Sequence, residues 1–493
     1  VPGVNSAPVI TRLVSTQLVR KEAGRYYLDP VDRTYALTRM PPGDLEDREN
    51  VDEPPYTQYA LRHRAANYFE AVRLPRENWK TLMDLEPQIA EFELRLAGED
   101  YETAALVLLE IDYDYLLPWG YFRLIVDLHE RLQGHLTDPN LKEASLLGLG
   151  NSYYRLGQLQ MAEFCYLQAL ESAKESHHRD KESRALLNLG SYYSEIGQLA
   201  KATEIYEEAL AIFRERGKRR DEGIVLMNLG NDYTEMGQEH RAVEYYTQAL
   251  KLSREVGHKA GEALTLYNLG YAYLQLGHIN DARERYEEAL SISSQIGENF
   301  VHAACLVGLG RLRLDDNQPQ EAMAHFEEAL RLLDIMGNAQ FQHVARASLA
   351  KAYLNRGDLA TARKIAERAH QHQNPKENPG TLALLGMIAL RQGDQQSSRS
   401  AFLKAIEEAE QLRNKNQHNF RALDAKALAQ YGLGLCEAEG TLVSNAIQTY
   451  SDARSIYKSP GYLKEVLALV DVLALEDSPH RRGKVRRAAA GET

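Results

Sequence analysis

The chain has 493 residues, more than one compact core takes up, since single cores stop growing near ~250–300 residues. With 44% hydrophobic and 26% charged residues it is an ordinary folded protein, well away from the disordered regime. A net charge of −12 and a sequence pI near 5.8 exclude a global basic field for nucleic acid or anionic lipid, and no apolar run approaches the ~18 residues of a membrane span.

The chain opens on Val1 rather than Met and shows no charged-then-apolar leader, which leads us to expect a piece of a longer protein. Its first segment, Ile10 to Leu37, reads as a helix, a turn at Ala23-Gly24, a strand over Arg25–Leu28 and a second helix. Residues 1–40 are too few for a domain of their own, and 41–55 read as a linker. From about Tyr56 to residue 142 the pattern is helical but irregular. Within it Glu91 to Glu110, with a turn at Ala97-Gly98-Glu99-Asp100, looks like a degenerate helix pair.

From Glu143 to about residue 378 one period governs the chain. Leu149-Gly150, Leu189-Gly190, Leu229-Gly230, Leu269-Gly270 and Leu309-Gly310 follow one another at intervals of 40, and Leu349-Ala350 continues the series. The same step carries alanines from Ala162 to Ala362 and from Ala169 to Ala369. It also carries an aromatic column, Tyr166, Tyr206, Tyr246, Tyr286 and Phe326. Inside one unit, Leu186 to Gly217, apolar residues recur three or four apart on either side of a Gly197-Gln198 break, predicting helix, tight turn, helix. The Gly and Ala positions suit close helix approach and the aromatic fills the gap, so each unit buries its face only by stacking.

This pattern resembles the tetratricopeptide repeat, in a form longer than the usual unit, as in the peptide-binding solenoids of spindle-orienting adaptors. Asn317-Gln318 stands where the other units have Gly-Gln or its like. The fold class implied is all-α, a right-handed superhelical solenoid of antiparallel helix pairs. We expect two further units over 379–475, with a capping helix from Tyr462 to Leu475. The run His480 to Arg487 within 476–493 reads as a disordered basic tail, with an arm for nucleic acid or membrane as the less favoured reading.

The opening segment resembles the end of the winged-helix domain in signal-transduction ATPases with numerous domains (STAND), a class that includes plant resistance proteins and bacterial immune sensors. There an aromatic strand leads to a His-containing motif and an Arg-x-Tyr-Ala helix, here Arg33-Thr34-Tyr35-Ala36, and helical repeats follow. The nucleotide-contacting His of that class falls on Asp29. An acid there would repel a bound diphosphate and loosen an ADP-locked state. The plainer alternative is a capping helical hairpin of the solenoid.

Signatures of catalysis and metal binding are missing. The sequence contains no GxxxxGK[ST], HExxH or GxSxG, and Cys165, Cys305 and Cys436 have neither zinc-ligand nor disulfide-framework spacing. His177-His178 and His370-Gln371-His372 read as loop histidines, and the pairs Glu207-Glu208, Glu287-Glu288 and Glu327-Glu328 as a solvated face. No catalytic residue, metal or cofactor is therefore expected, and any ATPase would lie outside this chain.

The resemblance puts the binding surface on the first helix of each unit. Carried over residue by residue, it points to Leu147, Asn151, Tyr154 and Arg155, then Arg184, Ser191 and Glu195. Next come Met227, Asn231, Thr234 and Glu235, then Tyr267, Tyr271, Leu274 and Gln275. Arg311, Leu314, Asp315, Lys351, Leu354 and Asn355 complete the set. Asn188, Asn228 and Asn268 form a column that either binds the backbone of an extended peptide or links neighbouring helices. The chaperone-tail clamp needs matched Lys, Arg and Asn in adjacent units, which this chain lacks.

The partner expected is a protein or peptide in the concave groove, together with an intramolecular contact to a nucleotide-binding domain outside this chain, and no nucleic acid or membrane. Two functions fit a reduced, cytoplasmic setting. One is the sensor and autoinhibitory arm of a signalling STAND ATPase, of the kind that includes immune sensors. The other is a free-standing adaptor that joins two proteins.

Overall fold

Apolar residues spaced three or four apart and regularly placed glycines make the chain helical almost throughout. The computed structural model describes residues 19–22, 25–28, 39–43, 57–371, 374, 376–417, 419–437 and 439–492. The chain divides into two compact units, residues 1–192 and 193–493.

The first unit begins with an antiparallel hairpin, β1 Val19–Glu22 and β2 Arg25–Leu28, in which Val19 pairs with Leu28 and Glu22 with Arg25. The strand expected at Arg25–Leu28 is present. Val19–Glu22 was expected to end a helix and is instead its partner strand. Strand pairing satisfies backbone groups that a frayed helix end would leave open. The rest of Ile10 to Leu37, with Asp29, lies outside the described residues, as do Asp44 to Tyr56 of the linker region.

Helices α1 (Gln58–Ala71), α2 (Glu86–Ala97), α3 (Tyr101–Ile111) and α4 (Phe122–Glu130) follow. α2 to α4 and the segment before them share a core of Trp79, Leu85, Phe92, Leu108, Ile111 and Leu128. Buried His129 is held between Asp112, 3.0 Å from its Nε2, and Ser145, 2.9 Å from its Nδ1. The regular pairs then begin with α5 (Pro139–Arg155), α6 (Leu159–Glu175) and α7 (Arg179–Glu195).

In the second unit the pairs continue with α8 (Leu199–Glu215), α9 (Arg219–Glu235), α10 (Glu239–Glu255), α11 (Lys259–Leu276) and α12 (Ile279–Ile296). They run on through α13 (Asn299–Asp315), α14 (Pro319–Met336), α15 (Ala339–Arg356), α16 (Leu359–Gln371), α17 (Asn378–Arg391) and α18 (Gln395–Lys415). The last helices are α19 (Phe420–Cys436), α20 (Gly440–Ile456), α21 (Pro460–Leu473) and α22 (Pro479–Ala490).

The sequence columns explain the stacking. Tyr206, Tyr246, Tyr286 and Phe326 are each at most 2% exposed, and Ala202, Ala242, Ala282 and Ala322 are fully buried beside them. Tyr286 is wedged between α11 and α13: a Cβ on Gly270 would lie 2.8 Å from its ring, and one on Gly308 2.6 Å. Glycine is therefore the residue that lets the aromatic reach across. At the turn after α13, Asn317 adopts φ 59°, the left-handed conformation that Asn tolerates better than other side chains. This is why the Asn-Gln variant preserves the turn.

A second 40-residue register holds successive pairs together. Arg214 Nε donates to Glu222 at 2.9 Å, and Arg254 Nε to Glu262 at 2.9 Å, each glutamate also pairing with the first-turn cation of its own helix, Arg219 or Lys259.

Two expectations about the C-terminus are corrected. The basic run is not a disordered tail: α22 buries Val485, Ala488 and Ala489, while Arg481 pairs with Asp477 at 2.8 Å and Arg486 with Asp471 at 3.0 Å. Its cations point outward and its small apolar residues inward, an amphipathic arrangement that a charge count conceals. The helix expected as a cap, α21, does not end the stack. It is followed by α22, and one of its sides faces the first helices of earlier repeats.

Candidate functional site

In each unit the first helices of the pairs line one face, α5 and most of α7 in the first unit and α9, α11, α13 and α15 in the second. In the first unit Asn151 Oδ1 accepts both Asn188 Nδ2 at 3.1 Å and the Tyr166 hydroxyl at 2.9 Å. The second unit repeats the triad: Asn231 Oδ1 accepts Asn268 Nδ2 at 3.1 Å and Tyr246 at 2.7 Å. Of the two readings of the asparagine column, the link between neighbouring helices is the one these contacts display. Each amide retains a second N–H for a ligand.

Among the other expected residues, Arg155, Glu195 and Asn355 are exposed, whereas Leu147, Tyr154, Ser191, Met227 and Asn228 are half-buried. Leu274, Gln275, Leu354 and Thr234 are buried and not free to meet a partner. The family register places them on the inner helix, but they sit near its C-terminal end. There the apolar Leu354 joins the core formed with Ala362 and Met387. Leu314 likewise packs at the edge of the core around Phe326.

The remaining candidates meet residues that sequence reasoning did not select. The segment from Tyr457 into α21 runs along the inner ends of α9 to α15. The Tyr457 hydroxyl donates to Glu239, and the Ser459 hydroxyl to the Gln275 carbonyl. Tyr271 Oη accepts Arg421 Nη2 at 2.6 Å, and Glu235 pairs with Lys376 at 3.2 Å. Glu465, one turn into α21, accepts Lys351 Nζ at 2.6 Å and lies 3.7 Å from Arg311, while Lys464 is 3.0 Å from Asp315. Phe420, Tyr457 and Tyr462 form an aromatic cluster, the first two stacked at 4.1 Å between ring centroids. Apart from the aromatic cluster, these contacts span 100 residues or more, and the local signal of the segment is the Ser459-Pro460-Gly461 break between two tyrosines.

Between α21 and the inner helices lies a cavity of about 270 Å³. Tyr267, Tyr271, Val307, Arg311, Lys351 and Arg421 contribute to its walls. The ammonium of Lys351, and after it the Arg311 guanidinium, hold the Glu465 carboxyl well below the usual carboxylate range, outweighing its loss of water. The arrangement is one for binding a polar or acidic group, and the Thr381 hydroxyl in its walls lies 2.9 Å from His343 Nε2 in a buried pair. Among the described residues no group of three His, Cys, Asp or Glu could hold a metal ion, and no helix is long and apolar enough to cross a membrane.

One inner-face group titrates anomalously. Asp232 is 1% exposed, accepts a 2.5 Å hydrogen bond from Ser194, and is pushed by burial up to about 7. Glu235 adds to this shift and Lys376 opposes it. A raised carboxyl pKa means that the folded state prefers the proton, so the stability it confers is present below the unfolded pKa and is lost as pH rises towards 7. Asp232→Asn is expected to raise the melting temperature at pH 8, by the equivalent of about 1–3 kcal/mol, and to change it little at pH 4. Calorimetric scans at the two pH values check this.

Family models for the tetratricopeptide repeat match residues 142–215, 221–295, 280–334 and 347–413, just over half of the chain. The chain belongs to the tetratricopeptide-repeat family. Tetratricopeptide-repeat chains are protein-interaction modules, and the helix pairs and inner face described above are theirs. No curated protein matches this chain.

Among solved structures, a STAND protein with a tetratricopeptide repeat sensor from Pyrococcus horikoshii superimposes with a TM-score of 0.51 at 17% identity. The match covers 80% of this chain and 58% of that one, so this chain spans little more than half the length of that protein. BtubC from P. vanneervenii matches at 25% identity over 44% of this chain and 90% of its own, with a TM-score of 0.38. A Rap protein complexed with competence and sporulation factor matches at 15% identity over 80% of this chain and 100% of its own, with a TM-score of 0.48.

Proposed function

We propose that this tetratricopeptide-repeat chain is the sensor and autoinhibitory arm of a multidomain signalling ATPase of the STAND class, recognising a protein or peptide trigger through the inner face of its repeats. The observation that carries the reading is that this face in the second unit accommodates a helix. α21 is held there by an acid and a lysine rather than by apolar surface alone. A face that can hold one helix by polar anchors can exchange it for another, which is what a sensor requires.

The ATPase context is supported by chain order. A segment resembling the end of a winged-helix domain, with its aromatic strand Arg25–Leu28, precedes the helical repeats. In this reading the nucleotide-binding domain contacts the repeats until the trigger binds, and the setting is an immune response in the cytoplasm.

The test is affinity capture from native lysate with the wild-type chain and with an Arg155→Ala, Glu195→Ala variant, after both are confirmed helical. A protein whose recovery falls about tenfold or more with the variant is expected. Equal recovery of every protein overturns inner-face recognition. For the ATPase context, the reading frame upstream of Val1 is expected to encode a GxxxxGK[ST] loop between a strand and a helix. An upstream frame holding only further repeats overturns that part and favours the adaptor.

A further inference from the structure

α21 has two sides of different chemistry. Val466, Val470 and Leu473 pack into the C-terminal core with Tyr431 and Tyr450, as any structural helix would. The side towards α13 and α15 is polar, with Glu465 on Lys351 and Arg311, and Lys464 on Asp315. The side chains of Arg311 and Lys351 are 28% and 26% exposed and that of Glu465 36%, so water and a competing ligand reach all three. Nearby Arg421 lies 3.5 Å from Glu377, so three cations face two carboxylates and the cluster can accept a further negative charge. The apolar side is seated in a core that continues through α17 to Ala350 and Leu354 of α15, so an exchange on the polar side concerns the Glu465 contact and leaves that core in place.

Deepening the sensor reading and resting on it, we propose that Arg311 and Lys351 form a carboxylate subsite for an acidic helical segment of the partner protein, and that Glu465 of α21 occupies this subsite in the partner-free chain. Binding of the partner exchanges one carboxylate for another and releases the polar side of α21 from α13 and α15. The trigger is therefore recognised by a Glu or Asp presented from a helix, as Glu465 is presented from α21. The same contact that defines the ligand keeps the chain closed in its absence.

The test uses the full chain and a fluorescein-labelled synthetic peptide of residues 457–473, together with a copy of the peptide in which Glu465 is replaced by Gln. Glu465→Gln in the chain keeps the size of the side chain but releases the subsite. The labelled peptide is expected to bind this variant about tenfold more tightly than it binds wild type, and the Gln copy about tenfold more weakly than the Glu peptide. Lys351→Met in the same chain should remove the preference between the two peptides.

Equal affinity of the peptide for wild type and Glu465→Gln, or equal affinity of the two peptides for the variant, would overturn the proposal and make α21 a fixed architectural element. Should Glu465→Gln fail to fold, the pair Lys351→Glu and Glu465→Lys is read by hydrogen exchange over 457–473. Each single change should lose protection and the double change should restore it, and no restoration overturns the proposal. If inner-face capture by the wild-type chain survives while the peptide results fail, only this subsite falls. Loss of the capture result removes the sensor reading itself, whatever the peptides do.

Discussion

Gly461→Ala should open the closed second unit. A Cβ at this position would lie 1.8 Å from the carbonyl oxygen of Leu274 and 2.8 Å from that of Gln275, and both are backbone atoms at the end of α11 that no rotamer change can move aside. The start of α21 must then withdraw, and the Ser459 bond to the Gln275 carbonyl and the Lys351–Glu465 contact go with it. Overpacking against backbone costs on the order of 1–3 kcal/mol or more, comparable to what a few half-exposed polar contacts return. Helicity should be nearly unchanged, because the pairs on either side retain their own cores. Amide exchange over 457–473 and the last turn of α11 should accelerate about 10- to 100-fold.

Gly483→Ala supplies the control. A Cβ on that glycine, inside α22, would meet nothing within 4 Å, so alanine there should be neutral or stabilise by about 0.5–1 kcal/mol. Exchange at 457–473 as slow in Gly461→Ala as in wild type would show that α21 can dock by another path.

Tyr286→Ala is expected to be the most destabilising single change in the regular repeats, at about 3–5 kcal/mol. The ring is 1% exposed and fills the space left by two glycines, Gly270 and Gly308, on the helices either side of it. Glycines have no side chain to relax into the cavity, so little of the lost contact can be recovered. In a stack of repeats stability passes between nearest neighbours, and the damage should be confined mainly to α11–α14 and their immediate contacts. Denaturant unfolding should show a lower midpoint or a separate early transition. Tyr245→Ala, which removes a half-buried ring stacked on Tyr233 at 5.2 Å, should cost roughly 1 kcal/mol. Similar losses for the two would contradict the assignment of Tyr286 as the keystone between pairs.

Much of the inner face was readable from the repeat register, but not what each position does there. Asn268 was found because it recurs with the period and Asn231 because the family register selects it, and the structure joins the two by a hydrogen bond. Leu274 and Leu354 were misassigned because position along a helix does not reveal which side is covered. Leu354 lies in the core and Leu274 ends up beneath the chain at Gly461. The C-terminal arginines were misread for a related reason: the small apolar residues that seat α22 are too few to stand out beside its charges.

The sequence by itself determined the helix pairs, their turns and the columns of Gly, Ala and aromatic residues that stack them. Those features arise from contacts within a turn of helix or between adjacent 40-residue units, so each leaves a periodic trace. Only the tertiary structure decided that α21 would meet the inner face. Tyr457 and Glu239 are 218 residues apart and Lys351 and Glu465 are 114 apart, and their meeting depends on small rotations accumulated from pair to pair. No single unit encodes that sum, and the residues that exploit it recur nowhere else in the chain.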